Sequence, residues 1–201
     1  MSRLLDTLLR LAGRSDALTS LLSRAVVSGV GTLESIRSLY RDYAERTYYE
    51  AKTRETARSV GSDLYVNGRI RLNGETRIGD NVHLHGLNVR GSGAVTIGDN
   101  VHAGSGCEIL TENHDYDEGE AIPYDDTFVV KPVTIEDCAW LGIDVTLLPG
   151  VTVGEGAIVQ AGSVVTDDIP EGAIAGGHPA EVFGQRDMDH YERLKSAGRF
   201  N

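Results

Sequence analysis

The sequence predicts a mainly β protein, a parallel β-helix built from six-residue repeats and preceded by a helical N-terminal region. Two observations lead there. Apolar residues recur at every sixth position: Val66, Leu72, Ile78 and Leu84, then Ile97, Ala103 and Ile109, then Ile135, Leu141, Leu147, Val153, Val159 and Val165. After Gly61 the composition also switches to glycine, valine, isoleucine and short polar residues. A period of six is neither that of an amphipathic helix nor the alternation of a half-buried strand. It suits a triangular coil in which each short strand points one apolar side chain inward, a small residue two places earlier fills a corner, and glycine or asparagine takes the tight turn.

Residues 1–60 come first and read as helical. Leu4, Leu5, Leu8, Leu9 and Leu11 fall at helical spacing, and Leu18, Leu21 and Leu22 follow. Gly29 and Gly31 predict a break, after which the run from Ile36 through Leu39, Tyr43 and Tyr48 to Thr56 resumes the pattern. Two or three helices are expected, as an arm against the main body or a neighbouring subunit. A surface-lying membrane helix is the other reading, with acids interrupting its apolar face and few lysines to support it.

Residues 61–170 hold the repeats. Val101, Val145, Val151 and Ala157 occupy the second inward column, and "IGDN" occurs at 78–81 and again at 97–100, where it supplies turn chemistry. The stretch "VRGSGAVT" shifts the phase by one residue, and 110–130 interrupts it as an inserted loop. At about eighteen residues per coil there is room for about five coils. An antiparallel sandwich would instead show period-two alternation and hairpin signals. Residues 171–201 form a C-terminal tail with a short helix.

The 201 residues carry a formal charge of −11 with a pI near 4.9, and the only lysines are Lys52, Lys131 and Lys195. A phosphate backbone needs a basic face, so a nucleic-acid partner is not expected. An acid-rich surface stays soluble in concentrated salt, where its self-repulsion is screened, which points to a salt-loving host. Cys107 and Cys138 are too few for a disulfide framework or a thiolate metal site. No transmembrane segment is expected, because no apolar run has the length, and Asp6 interrupts any secretory signal. A cytoplasmic enzyme or scaffold is the expectation.

"TIGDNVHAG", "NHDYD" and the long run from "VTIEDCAWLG" to "AGGHPAEV" resemble the hexapeptide-repeat acyltransferases, especially the maltose, galactoside and surface-polysaccharide O-acetyltransferases. The likeness covers roughly residues 60 to 185 and is strongest from 131 to 180. It implies a left-handed β-helix, against the usual right-handed crossover preference. It also implies a homotrimer with active sites between subunits, and acetyl-CoA as co-substrate, extended along a groove.

Acetyl transfer from a thioester to a hydroxyl needs a base, and a histidine is matched to that task near neutrality. His114 opens the inserted loop and resembles the family's catalytic histidine. A neutral imidazole must hold one N–H against an acceptor while presenting the other nitrogen. Glu112, Asp115, Asp117 or a backbone carbonyl could serve. Seven acids lie between positions 112 and 126, and such a cluster disfavours an anionic acceptor at low salt, leaving a neutral sugar or glycan precursor as the expected substrate. Asp115 and Asp117 are candidate acceptor-binding residues.

Trp140, the sole tryptophan, precedes the inward Leu141, so its ring is expected to point outward toward the pantetheine arm or the acceptor. Asn88 in "HGLNVRG" resembles the family's acceptor-holding asparagine, with a turn-forming residue as the other reading. Lys131 could hold the loop closed. Gly142, Ala161, Gly162 and Thr166 occupy the family's cofactor-contact positions. Asp167 and Glu181 stand where many relatives carry lysine, and Arg186 could compensate, since a guanidinium suits phosphate. Cys107 falls at an inward position, so direct transfer without an acyl-enzyme is expected. Two rivals stand beside this reading. One is a non-catalytic β-helix scaffold. The other is a zinc enzyme resembling the γ-class carbonic anhydrases, drawing on His83, His85 and His102; otherwise no metal is expected.

Overall fold

The computed structural model describes residues 33–201, so the helices expected before Gly29 lie outside the described residues. Among the described residues, those up to Glu45 and residues 46–201 belong to separate units. Helix α1 (Leu33–Thr56) contributes its turns from Arg46 onward to the second unit. Thr53 is fully buried there and its Oγ1 donates to the Tyr49 carbonyl at 2.7 Å, while Tyr49 and Ala57 pack on the apolar core. No helix among the described residues is long and apolar enough to cross a membrane.

The rest of the second unit is a left-handed parallel β-solenoid with three faces. The first stacks Ser59–Val60, Thr76–Ile78, Val95–Ile97, Val133–Ile135 and Thr152–Val153. The second stacks Tyr65–Val66, His83–Leu84, His102–Ala103, Trp140–Leu141, Ile158–Val159 and Ala173–Gly177. The third stacks Ile70–Arg71, Leu87–Arg90, Cys107–Leu110, Thr146–Leu147 and Val164–Val165. Inside, the register lines up columns of like residues. Ile78, Ile97, Ile135 and Val153 follow one another on the first face, and Val66, Leu84, Ala103, Leu141, Val159 and Ala175 on the second. Every coil buries its apolar edge only against the coils above and below, so the stack supplies a core that one coil could not.

The repeat "IGDN" has a specific geometry. A Cβ at Gly79 would lie 2.2 Å from Asp99 Oδ1, so only glycine leaves space for the neighbouring coil. The next residue, Asp80, accepts from Ser62 N, and Asp99 accepts in turn from Asp80 N at 2.7 Å. Asn81 and Asn100 then take positive φ, and Asn81 Nδ2 donates to Asn100 Oδ1 at 2.9 Å. Asparagine tolerates this left-handed backbone better than other residues with a Cβ.

Two details differ from the sequence reading. Leu72 packs on the core in line with Val89 and Ile109 but is only half-buried, because the first coil ends the stack on this face, and Ile70 before it is buried in the column of Leu87 and Cys107. The phase shift is also not confined to "VRGSG". The inward residue after Leu84 is Val89, five positions on, because the corner at Gly86 (φ 132°) closes one residue early; Ile97 follows eight positions later, after the widened turn at Gly91 (φ 96°). The net shift of one combines a deletion with a double insertion.

At the C-terminal end Ala173–Gly177 turns back antiparallel onto Ala180–Gln185. Helix α2 (Met188–Ser196) follows, its first turn capped by Asp187 Oδ1, which accepts from His190 N at 2.9 Å. Tyr191 and Lys195 fasten it to Glu155 through a 2.9 Å hydrogen bond and an ion pair. Replacing the cap, Asp187→Ala, is expected to cost about 0.5–2 kcal/mol, read as a drop in the urea midpoint.

Candidate active site

After Leu110 the chain leaves the solenoid at the edge between the third and first faces. Glu112–His114 and Phe128–Val130 form an antiparallel hairpin base that sets His114 opposite Phe128. Two aspartates organise the excursion between them. Asp115 Oδ1 accepts from the amides of Asp117 and Glu118. Asp125 accepts from Thr127 Oγ1 (2.6 Å), Thr127 N (2.8 Å) and Glu120 N (2.7 Å). These bonds favour the charged carboxylate and hold the Asp125 pKa down to about 2. A depressed pKa makes this stabilisation complete above the ordinary value of 3.8 and removes it as pH falls through about 2. Carboxyl-carbon NMR should therefore find Asp125 titrating near 2; a midpoint near 3.8 would mean that the turn is open in solution.

Bending the chain around Asp125 brings its carbonyl to His114, where Nδ1 donates to Asp125 O at 3.0 Å. A carbonyl can only accept, so in the neutral ring Nδ1 carries the hydrogen and Nε2 the lone pair. Nε2 has no partner among the described residues. The ring is stacked on Tyr124 (centroids 3.8 Å apart, planes at 22°) and flanked by Phe128 at 4.3 Å. One hydrogen bond and two aromatic walls fix the orientation of the imidazole. None of Glu112, Asp115 and Asp117 does this: Glu112 accepts from Ser92, and Asp115 is occupied by its own turn. Tyr124, Asp125 and Phe128 are absent from the sequence reading; the turn-forming "DDT" is the signal that could have drawn attention to them.

Beside the ring is a cleft of about 310 Å³ that brings His114, Asp115 and Asp117 together with Lys131 and Thr166, floored by Leu148 and Pro149. The other expected residues lie elsewhere on the chain. Gly142, Ala161 and Gly162 stack along the edge between the second and third faces. A Cβ at Gly142 would lie 2.5 Å from Ala161 N, and Gly162 (φ 71°) has open space around its Cβ position. Ile143, Asp144 and Gln160 are exposed on the same edge, beside the glycines. Trp140 points outward and is 53% exposed. With Arg186 it lines a second cavity of about 460 Å³ against α2, where Arg186 Nε donates to Gly156 O and the guanidinium lies over the Tyr191 ring. Asn88, on the third face, donates to both oxygens of Glu108 at 2.9 Å, and Glu108 also pairs with Arg90. It does not line the His114 cleft.

Cys107 is buried, and burial pushes its thiol pKa up, which disfavours a nucleophilic thiolate. Cys138 takes a positive φ at a corner where other coils use asparagine. His83 and His102 stack ring on ring at 4.2 Å, and burial lowers the pKa of both.

Fold and site together define a hexapeptide solenoid that carries a histidine-bearing loop. Residues 132–167 match the family described as bacterial transferase hexapeptide (six repeats). A galactoside acetyltransferase, solved in complex with coenzyme A, superposes with a TM-score of 0.58 at 28% identity, covering 70% of this chain and 72% of the other. A hexapeptide-repeat acetyltransferase from Vibrio cholerae O1 biovar eltor, complexed with acetyl coenzyme A, gives a TM-score of 0.59 at 27% identity, covering 86% and 91%. The 2,3,4,5-tetrahydropyridine-2,6-dicarboxylate N-acetyltransferase of Staphylococcus aureus (strain JH9) is 51% identical over 55 residues, which are 27% of this chain and 23% of that protein. The chain thus matches about a quarter of the length of its curated relatives. It is similar to hexapeptide-repeat acyltransferases, in residues 132–167 by sequence and over most of its length by fold.

Proposed function

We propose that this chain transfers an acetyl group from acetyl-CoA to a hydroxyl of a sugar or surface-glycan precursor, with His114 as general base. The observation that carries the reading is the His114 Nδ1 to Asp125 carbonyl bond, which leaves Nε2 as the proton-accepting nitrogen. The relatives solved with coenzyme A or acetyl coenzyme A support the donor. Gly142 and Gly162, which carry no side chain, and the small Ala161 leave room for an extended pantetheine arm.

Nε2 removes the proton of the acceptor hydroxyl while its oxygen attacks the thioester carbonyl carbon. The resulting imidazolium is stabilised by the same carbonyl, since Nδ1–H still donates to it. As the tetrahedral intermediate collapses and the carbon–sulfur bond breaks, the proton passes from Nε2 to the departing thiolate. Transfer is direct, with Cys107 closed off inside the coil. Asp115, Asp117 and Thr166 line the cleft where the acceptor would sit. Asn88 lies outside this cleft in one chain, so its part in holding the acceptor is assigned to the site built with a neighbour's histidine.

We assign the working form as a homotrimer with its sites between subunits. Trp140 and Arg186 occupy a cavity apart from His114 in one chain, so in the trimer they serve the site built with a neighbour's histidine. A cytoplasmic location, where acetyl-CoA is available, completes the reading.

The test is thiol release from acetyl-CoA in concentrated salt, with neutral sugars, acidic sugars and primary amines as acceptors. Release that depends on a sugar hydroxyl is expected. Release with amines alone would replace O-transfer by N-transfer, and no release with any hydroxyl acceptor would overturn the proposal.

A further inference from the structure

The charge of the chain is unevenly distributed. Between positions 46 and 77 there are seven basic residues against four acidic ones, whereas from 78 onward there are six against twenty-one. The basic segment comprises the last turns of α1 and the first coil. There a cavity of about 470 Å³ opens, lined by Lys52, Arg69 and Arg71, by the rings of Tyr48 and Tyr49, and by Leu72. No carboxylate of the described residues lines it.

The three cations are not used for structure. None belongs to an ion pair among the described residues. Lys52 lies 5.9 Å from the Tyr48 ring, which leaves its ammonium free to turn. Arg71 is in register with Asn88 and feels Glu108, but that carboxylate is already bonded to Arg90 and Asn88. The cavity beside α2 differs in this respect. There Lys195 is paired with Glu155, and Arg186 is tied to a backbone carbonyl. Three convergent cations repel one another, and among the described residues none of them is paired with a carboxylate.

We propose that this cavity is a binding site for a small phosphate-bearing molecule, separate from the His114 cleft. Two guanidiniums give paired donors suited to phosphate oxygens, the lysine adds a mobile point charge, and the tyrosines and Leu72 form walls for the body of the ligand. A volume of this size suits a small metabolite.

The test uses the full chain and inorganic pyrophosphate, with binding followed by calorimetry at low and high ionic strength. Wild type is expected to bind, more weakly at high salt. Arg69→Gln/Arg71→Gln should weaken binding by at least about tenfold, the loss expected from two charge-assisted hydrogen bonds. Arg193→Gln, at an exposed arginine of α2 outside this cavity, should leave it unchanged. Both variants alter exposed side chains, and unchanged circular dichroism checks their fold. Hexose phosphates are expected to compete and glucuronate is not, which separates phosphate from carboxylate recognition. Absence of binding, or binding unaffected by the double substitution, would each overturn the proposal. His114→Ala should bind pyrophosphate as wild type does, so the result does not depend on the acyltransferase reading.

Discussion

Replacing His114 by alanine is expected to lower acetyl transfer about 10²- to 10⁴-fold, the usual contribution of a positioned general base. The loss should appear in kcat more than in KM, since the proton moves only as the transition state is reached. The imidazole is half-buried and belongs to the loop rather than to the apolar core, so the variant should keep the circular dichroism of the wild type. Turnover within about tenfold of wild type would remove His114 from the mechanism. Tyr124→Ala leaves the Asp125 carbonyl bond available but takes away one wall of the ring. It should lose less activity than His114→Ala, because the ring can still be used in the fraction of time it is correctly turned.

What the sequence made legible follows from how local each feature is. The inward columns repeat through residues as far apart as Ile78 and Val165, and a period sustained over that length survives local irregularity. The first coil and the Gly86 corner were read less well. There the repeat is interrupted by backbone geometry rather than by residue type: a corner that closes one residue early looks in sequence like an ordinary glycine. His114 stood out as the histidine of the inserted loop that resembles the family's catalytic one, and its use as a base is the proposal that thiol release would test. The orienting partner of His114 was not legible, because Asp125 lies eleven residues away and acts through its carbonyl, a group every residue owns. The acids nearest in sequence cap turns or bond Ser92 instead. Arg186 illustrates the same limit. Its residue type suggests phosphate, but the docking of Tyr191 beneath its guanidinium determines where the side chain lies.

Leu141→Ala should be among the most destabilising single substitutions in the solenoid. Leu141 is fully buried, and its neighbours in the second-face column are Ala103 on one side and Val159 on the other. Truncating a buried leucine costs about 2–5 kcal/mol, with the amount set by how far the surroundings can collapse into the space. Here collapse is limited. Ala103 has no side chain to extend into the gap, and the coil spacing is fixed by backbone hydrogen bonds such as Trp140 N to Ala157 O and Gly142 N to Val159 O. The upper part of the range is therefore expected, measured as the shift in urea midpoint at a fixed protein concentration, because an oligomer's stability depends on concentration. Leu72→Ala, at a half-buried position in the first coil, should cost clearly less. Adding Ala103→Leu to Leu141→Ala would restore volume one coil away and should recover part of the loss. Because each coil rests only on its neighbours, recovery is possible only if the two positions share one space. Strict additivity of the two substitutions would show that they do not, and that the column of inward residues is a set of separate sites rather than a continuous core.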